Sequence, residues 1–500
     1  MNPMFYIDFY KVGHIDQYHK DIENIYSTWT PRWRKPGTPD EYVHFGVQAF
    51  IKEFLMASFD YEFFNATLES VVENYKRVVK HCLFVENPRT DHIEALWRLR
   101  YLPLKTYSLP DGTVVSHGIP TMVITNTDPR FFWLVNYLET LMSSVLWKPA
   151  TTATTARQYR KLFEHHAKVA GETDLSFVDW QGHDFSMRGL SGPDDATFSG
   201  MGHLLFFNGT DTVPAILAAE RYYGANIETE IVGGSVPATE HSVMSAGLKG
   251  GEFETFKRLL SEVYPKGIVS VVSDTWDLWK VLTDYIPRLR DIIINRDGKL
   301  VIRPDSGDPV KIMIGDPAYS GAHGAPQAVG AISLLAQALG AVDNPTGKFP
   351  LINKGGLIYG DGISLERADK ILAGTWAKEL SPFNVVFGIG SYTYQLVTRD
   401  NHGLAMKAVA YKGHDGIVVP MFKDPVTDNA GKKSHYGIPA VFAMTEKLST
   451  FGSEQKSHVV MENVNEEFLD ECSYVKVFEN SELLVDYVWK DVKALARKGL

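Results

Sequence analysis

Only two cysteines, Cys82 and Cys472, occur in 500 residues. Two thiols leave no disulfide framework and no thiolate spacing for structural zinc, and both read as reduced side chains. A cationic excess is also missing, since 50 lysines and arginines stand against 60 acidic residues for a formal net charge of −10. That balance excludes a broad nucleic-acid footprint but allows a local basic pocket for a phosphorylated small molecule. Long hydrophobic runs are absent as well. The opening MNPMFYIDFYKVGH meets Asp8 and Lys11 before an apolar core of signal-peptide length can form. The longest stretch without Asp, Glu, Lys or Arg, Pro317 to Val342, is interrupted by Pro326, Gln327, Gln337 and several glycines, so it reads as no membrane span. The expectation is a soluble, cytoplasmic protein with neither a nucleic-acid nor a membrane partner. Internal repeats, low-complexity tracts and long charge runs are lacking too.

What is present is ordinary for a globular enzyme: 44% hydrophobic and 22% charged residues. A chain of this length can bury about three quarters of its surface and needs no covalent staples. In the first 150 residues, Ala49–Phe59 and Ser70–Leu83 carry helical periodicity. Leu104–Ser108, Val114–Ser116 and Thr121–Thr125 have the β-branched, alternating character of strands. Pro110-Asp111-Gly112 between two of these is a turn, because Pro presets φ and Gly accepts a positive one. Asp128 to Arg157 reads as a long helical stretch interrupted near Pro149.

The middle of the chain follows another grammar. Four short apolar runs each end in a cluster of Gly, Asp, Arg or Ser: Ile268 to Asp274, Leu300 to Gly307, Leu357 to Gly362 and Val385 to Gly390. Helical patterns separate them at Leu278–Asn295, Gly324–Gly340 and Ser364–Leu380; in the second, Ile332, Leu335, Leu339 and Val342 recur at helical spacing. Strand, functional loop and helix in repetition predict a parallel α/β fold. Either a (β/α) barrel or an open doubly wound sheet satisfies that pattern. Beyond Arg399 short strands return at Ala405–Tyr411, Gly416–Phe422 and His458–Val460, with turn clusters at Asp424-Pro425 and Asp428-Asn429. A helix over Asn480–Lys498 is expected to close the chain.

The loops after the strands carry the chemistry. In Arg303-Pro304-Asp305-Ser306-Gly307-Asp308 an arginine fork suits phosphate, the aspartates can hold hydrated Mg²⁺, and Ser306 and Gly307 let backbone N–H groups approach an anion. Gly360-Asp361-Gly362 and Gly388-Ile389-Gly390-Ser391 end the last two strands, where phosphate sites commonly lie in barrels. Glu240-His241 in the polar loop that begins at Ser235 pairs a carboxylate with a residue able to act as acid, base or nucleophile. Phe185 can stack on a flat ring, Arg188 can pair with phosphate, and Asp211 can either accept from an amide or cap the helix starting at Val213. Phosphate loops, metal-capable aspartates and an aromatic with an acid point to a phosphorylated sugar meeting a planar heterocycle. No lysine ends any of these strands, which disfavours Schiff-base aldolase chemistry.

In order and at similar spacing, IDFYKVGH at 7–14, HDFSMRG at 183–189, GTDT at 209–212, SVPATEHS at 235–242, SVVSDTWD at 270–277, RPDSGDP at 303–309, GDG at 360–362 and LVTRD at 396–400 resemble the nicotinamide phosphoribosyltransferase family. The resemblance covers about residues 7–445. It implies a type II phosphoribosyltransferase fold: an irregular (β/α) barrel from 151–399 and a discontinuous β-rich α+β domain from 1–150 and 400–500. It also implies a homodimer with active sites shared between subunits.

The implied reaction joins nicotinamide to phosphoribosyl pyrophosphate, giving nicotinamide mononucleotide and pyrophosphate in NAD salvage. Mg²⁺ is the implied cofactor and ATP the implied co-substrate. By resemblance Phe185 and the partner's Tyr10 sandwich the pyridine ring, and Asp211 accepts from the carboxamide, disfavouring nicotinate by repulsion. Arg303 lies near amide and ribose, and Asp305 near the ribose hydroxyls. Gly360, Asp361, Gly390 and Ser391 surround the ribose and 5′-phosphate, and Ser235 and Ser270 are further substrate contacts. Arg188, Arg399 and, from the partner, Arg32, Lys407 and Lys423 gather around phosphates. His241 matches the histidine phosphorylated by ATP, with Asp274 and Glu240 orienting it. The metal ligands are left unassigned, pyrophosphate and water being the expected donors. Three stretches depart from the family: Gly390-Ser391-Tyr392, Ser186-Met187 after Phe185, and the loop from Val310 to Pro326. A nicotinate phosphoribosyltransferase and a catalytically silent ligand-binding relative are the alternatives.

Overall fold

A computed structural model describes residues 1–322, 324–424, 434–447 and 454–500. The expected turn at Asp428-Asn429 and Pro425 of the one expected at Asp424-Pro425 lie outside the described residues. The chain divides into two compact units: Met1–Thr154 with Ala218–Ala225 and Thr398–Lys498, and Thr155–Leu217 with Asn226–Val397 and Gly499–Leu500.

The second unit is built on six parallel strands: Gly182–Asp184, Gly209–Thr210, Val269–Val272, Leu300–Arg303, Gly355–Tyr359 and Val385–Ile389. Sequential neighbours pair, except across one gap, and the last strand pairs with the first through Phe387–Gly182, Gly388–His183 and Ile389–Asp184. The gap is between Gly209–Thr210 and Val269–Val272, and an irregular segment fills it. Thr210 N donates to Gly234 O at 2.9 Å and Gly234 N to Asn208 O at 2.8 Å. On the other edge Ser270 N donates to Pro237 O at 2.9 Å and Thr239 N to Ser270 O at 3.0 Å. The ring therefore closes, and the fold is an irregular barrel rather than an open sheet.

The helices around it form where apolar periodicity predicts. Leu278–Lys280 leads into Ile286–Asn295, Ala331–Leu339 follows, then Leu365–Ala377. Their buried faces are Leu289 and Ile293, then Ile332, Leu335 and Leu339, then Ala368, Ile371 and Leu372. Caps set their starts: Asp277 Oδ1 accepts from Trp279 N at 3.0 Å, and Ser364 Oγ from Arg367 N at 3.2 Å.

The first unit holds a seven-stranded antiparallel sheet in the order Val418–Pro420, Leu404–Gly413, Ile22–Pro31, Met122–Asn126, Leu104–Ser108, Val475–Glu479, Glu482–Leu483. Strands from both ends of the chain are thus neighbours, with Thr28 opposite Lys407. Tyr26, Trp29, Tyr107 and Trp133 are buried in its core. The eight residues Ala218–Ala225 join this unit: the Tyr223 hydroxyl donates to Asp111 Oδ2 at 2.7 Å, and its ring stacks on Phe45 at 5.5 Å.

Three expectations need correction. Pro149 does not interrupt its helix, which runs from Glu139 to Val169. The proline ring packs on Gly46, φ +102°, where a Cβ would lie 2.6 Å from Pro149 Cγ, so tertiary packing holds the helix through a residue that disfavours it. The C-terminal helix spans only Trp489–Ala496. Before it, Asn480 and Ser481 take positive φ values of 50° and 66° and turn Val475–Glu479 back onto Glu482–Leu483. Finally, Val342 does not continue the helical pattern: the helix ends at Leu339, and Val342 pairs with Leu351 in a short antiparallel strand. Among the described residues no helix is long and apolar enough to cross a membrane.

Candidate active site

Parallel strands bring all their carboxyl ends to one face of the barrel. A cavity of about 730 Å³ opens there, and Phe185, Arg188, Asp211, Arg303, Asp305, Gly360, Asp361, Gly390 and Ser391 all line it. Leu190, Gly192 and Pro193, which the motifs did not single out, line it too.

Phe185 is set by its neighbours on both sides. Asp184 is fully buried, and its Oδ1 accepts from Ser186 N at 2.9 Å and Ser186 Oγ at 2.6 Å, tying off the turn that presents the ring. Ser186 therefore has a local structural role. Glycines back the ring: a Cβ on Gly360 would come within 2.8 Å of Phe185 Cδ2, and one on Gly388 would overlap it. The Arg303 guanidinium lies 5.9 Å from the ring centroid, a cation–π distance, and the His183 ring meets it edge-on at 5.0 Å. Arg303 Nε is buried without a hydrogen-bond partner.

Asp211 is the anionic wall. Its Oδ1 accepts from Ser235 Oγ at 2.6 Å and faces His183 Nε2 at 3.0 Å. Burial pushes the carboxyl up, but the hydrogen bonds from His183 and Ser235 and the charge of Arg303 outweigh it, and the group sits below its ordinary value. Asp211 is thus a carboxylate at neutral pH. His183 has no role assigned from sequence; its placement follows from the pairing of Gly182–Asp184 with Gly209–Thr210, which no local pattern announces.

Glu240, His241 and Asp274 form a neighbouring group outside the cavity lining. His241 Nε2 lies 3.3 Å from Asp274 Oδ1, with the histidine half-exposed and the aspartate buried. Asp274 Oδ2 accepts from Asp305 N at 2.8 Å and Ser306 Oγ at 2.6 Å, which joins this group to the cavity wall. Glu240 accepts from Ser242 Oγ at the start of the His241–Ala246 helix. Ser270 stays inside its strand, buried, its hydroxyl without a partner, and does not line the cavity. At the last loop, a Cβ on Gly189 would collide with Ser391 Oγ, so the serine occupies room that a glycine leaves.

The other five candidates belong to the first unit. Tyr10 is 62% exposed on the Phe9–Gly13 turn. Arg32 Nε donates to Gly403 O at 3.0 Å, Arg399 reaches Asp400 at 3.2 Å, and Lys407 reaches Glu139 at 3.4 Å. Lys423 is exposed, its backbone N–H held by Ser434 Oγ at 2.8 Å.

Among the described residues no group of three or more His, Cys, Asp or Glu side chains could hold a metal ion. The carboxylates of the cavity lining are Asp184, Asp211, Asp305 and Asp361.

The sequence profile of the nicotinate phosphoribosyltransferase (NAPRTase) family matches residues 180–471. A nicotinamide phosphoribosyltransferase of Acinetobacter baylyi is 44% identical over 481 residues, covering 93% of this chain and 94% of its own. One from Mycoplasma pneumoniae is 32% identical over 444 residues, covering 84% and 92%. Among solved structures, the nicotinate-nucleotide pyrophosphorylase of Pyrococcus furiosus aligns with a TM-score of 0.56 at 12% identity, covering 99% of this chain and 95% of its own. Human nicotinic acid phosphoribosyltransferase aligns at 0.50 and 14% identity, covering 98% and 92%. At those identities the structural likeness speaks for the fold alone.

Proposed function

Because this chain belongs to the nicotinate phosphoribosyltransferase family, we propose that it transfers phosphoribosyl from phosphoribosyl pyrophosphate to nicotinamide, in NAD salvage. The observation that carries this reading is Asp211, ionised between His183 and Ser235 on the wall that also holds Phe185, Arg303 and the two glycine-rich loops. A carboxylate there accepts from a carboxamide N–H and repels the carboxylate of nicotinate.

Nicotinamide stacks on Phe185, its amide toward Asp211 and Arg303. The ring nitrogen forms a bond to C1 of the ribose as the bond from C1 to pyrophosphate breaks, through an oxocarbenium-like transition state. Asp305 holds the ribose hydroxyls, and Gly360, Asp361, Gly390 and Ser391 hold the ribose and 5′-phosphate. Arg188 and Arg399 compensate phosphate charge. The protein's contribution is mainly alignment of the two reactants and neutralisation of the leaving group. Mg²⁺, when bound with the diphosphate, neutralises its charge further.

The functional molecule is a homodimer in which Tyr10, Arg32, Lys407 and Lys423 of one subunit complete the site of the other. ATP transfers its γ-phosphoryl group to the His241 imidazole and leaves as ADP. The added charge acts on Asp274 and, through it, on the Asp305–Ser306 loop, and hydrolysis of the phosphohistidine returns the free enzyme with release of phosphate. The paired hydrogen bonds of Asp274 support this route.

A chromatographic product assay tests the reading. Purified protein with Mg²⁺ and phosphoribosyl pyrophosphate receives nicotinamide or nicotinate, each with and without ATP. Nicotinamide mononucleotide is the expected main product, with a higher yield when ATP is present. Nicotinate mononucleotide as the main product would overturn the assignment of Asp211, and no product in any tube would favour a silent binding protein.

A further inference from the structure

Three segments far apart in sequence meet at Glu139. Lys11 is 4% exposed, and its Nζ lies 2.9 Å from Glu139 Oε2 and also bonds Asn136 Oδ1. Lys407 Nζ reaches the other carboxylate oxygen, Oε1, at 3.4 Å. The next residue, Thr140, donates its hydroxyl to Asp8 Oδ2 at 2.7 Å, and the same Asp8 oxygen accepts from the Tyr10 hydroxyl at 3.2 Å. The Asp8–Lys11 turn is closed by Lys11 N donating to Asp8 O at 2.9 Å. Tyr10 therefore sits inside a closed turn with its hydroxyl tied to Asp8, while the side chain stays exposed.

A buried ammonium needs a carboxylate, and Glu139 opens the long Glu139–Val169 helix, where the helix dipole favours negative charge. The pairing of Glu139 with Lys11 alone would satisfy that requirement. Glu139 instead divides its two oxygens between Lys11, next to Tyr10, and Lys407, whose backbone is fixed by the Thr28 register of the central sheet. We infer that Glu139 is a positioning residue that holds the nicotinamide-stacking Tyr10 and the phosphate-binding Lys407 in one fixed relation, so that both substrates of the partner's site are gripped together. This rests on the roles given to Tyr10 and Lys407 in the proposed function.

Kinetics of the full-length protein test it. Tyr10→Ala should raise KM for nicotinamide, and Lys407→Ala should raise KM for phosphoribosyl pyrophosphate. Glu139→Gln, which touches neither substrate, should raise both by about tenfold while kcat falls by less than about threefold. Because Glu139→Gln strands a buried charge, Lys11→Met/Glu139→Leu serves as the second variant: it makes the pair apolar and keeps the fold. Its KM for phosphoribosyl pyrophosphate should stay raised, since Lys407 still lacks its carboxylate.

Variants with a lower Tm but both KM values unchanged would make Glu139 a merely structural ion-pair partner and overturn the inference. If Tyr10→Ala and Lys407→Ala leave both KM values unmoved while the wild type still forms product, the residue roles fail and the inference with them. A wild type that forms no product overturns the functional reading itself, and the inference falls with it.

Discussion

His241 and Asp274 stand 3.3 Å apart, and the carboxylate oxygen not facing the histidine accepts the backbone N–H of Asp305 and the Ser306 hydroxyl. One buried carboxylate thus links an exposed imidazole to the loop that lines the cavity. His241→Ala should keep basal transfer and lose the ATP-dependent gain. Asp274→Asn should lose that gain and also cut kcat/KM by about 10- to 100-fold, since hydrogen bonds to a charged group are each worth about 1.5–3 kcal/mol. Initial rates with and without ATP separate the two. An ATP response that survives in His241→Ala would count against a phosphohistidine.

Asp211 should set the choice between amide and acid. Asp211→Ser is expected to lower the nicotinamide-to-nicotinate ratio of kcat/KM by about tenfold or more, the scale of one hydrogen bond to a charged group. The carboxyl is held below its ordinary value, so this selectivity is fully present above the carboxylate range and is lost only as pH falls through it. A ratio flat from about pH 6 to 8 should therefore be found in competition assays, taking the ordinary Asp value of about 3.9 as the upper bound.

Gly388→Ala should impair the ring site without touching a charged group. Its Cβ would overlap Phe185, and such overpacking typically costs about 1–3 kcal/mol. The expected sign is a KM for nicotinamide raised more than that for phosphoribosyl pyrophosphate. An unchanged nicotinamide KM would mean that Phe185 does not carry the stack.

Glu252 makes stability depend on pH. It is buried at the start of the Glu252–Arg258 helix, with Oε1 unpartnered. Burial, then repulsion from Asp277 and Asp274, partly offset by Lys280, pushes its carboxyl up to about 7. A raised acid means that the folded state holds a proton the unfolded chain releases, so the stability from this group is full below the ordinary glutamate value and lost as pH rises through about 7. Glu252→Gln should melt higher than the wild type at pH 8, with the gap closing toward pH 5, as calorimetry at the two pH values would read. A gap independent of pH would assign the effect to packing.

The proposed sharing of sites between subunits predicts complementation. Tyr10→Ala and Phe185→Ala subunits, each impaired as homodimers, should recover activity when mixed, because half of the sites in a hybrid carry both intact rings. Verified hybrids with no recovery would argue that each subunit works alone.

The alternation of apolar runs with helical periodicity made the strand–loop–helix order legible, because each element's pattern records which of its own faces is buried. The four strands beginning near Val269, Leu300, Leu357 and Val385 and the helices between them could be read this way. So could the polar loops at the strand ends, since glycine, arginine and aspartate after a strand declare themselves locally. Pairings over long separations could not. Gly234–Thr239 closes the barrel without a strand's pattern, because its bonds come from edges supplied by other segments. Pro149 stays helical because Gly46 receives its ring. His183 matters because an adjacent strand brings Asp211 to it, and Glu139 because two lysines 396 positions apart in sequence share its two oxygens. By itself the sequence determined which groups could do chemistry, since residue type and local period are written in it. Which of those groups meet was decided by the tertiary structure, because a contact is a property of two segments and the path of the chain between them.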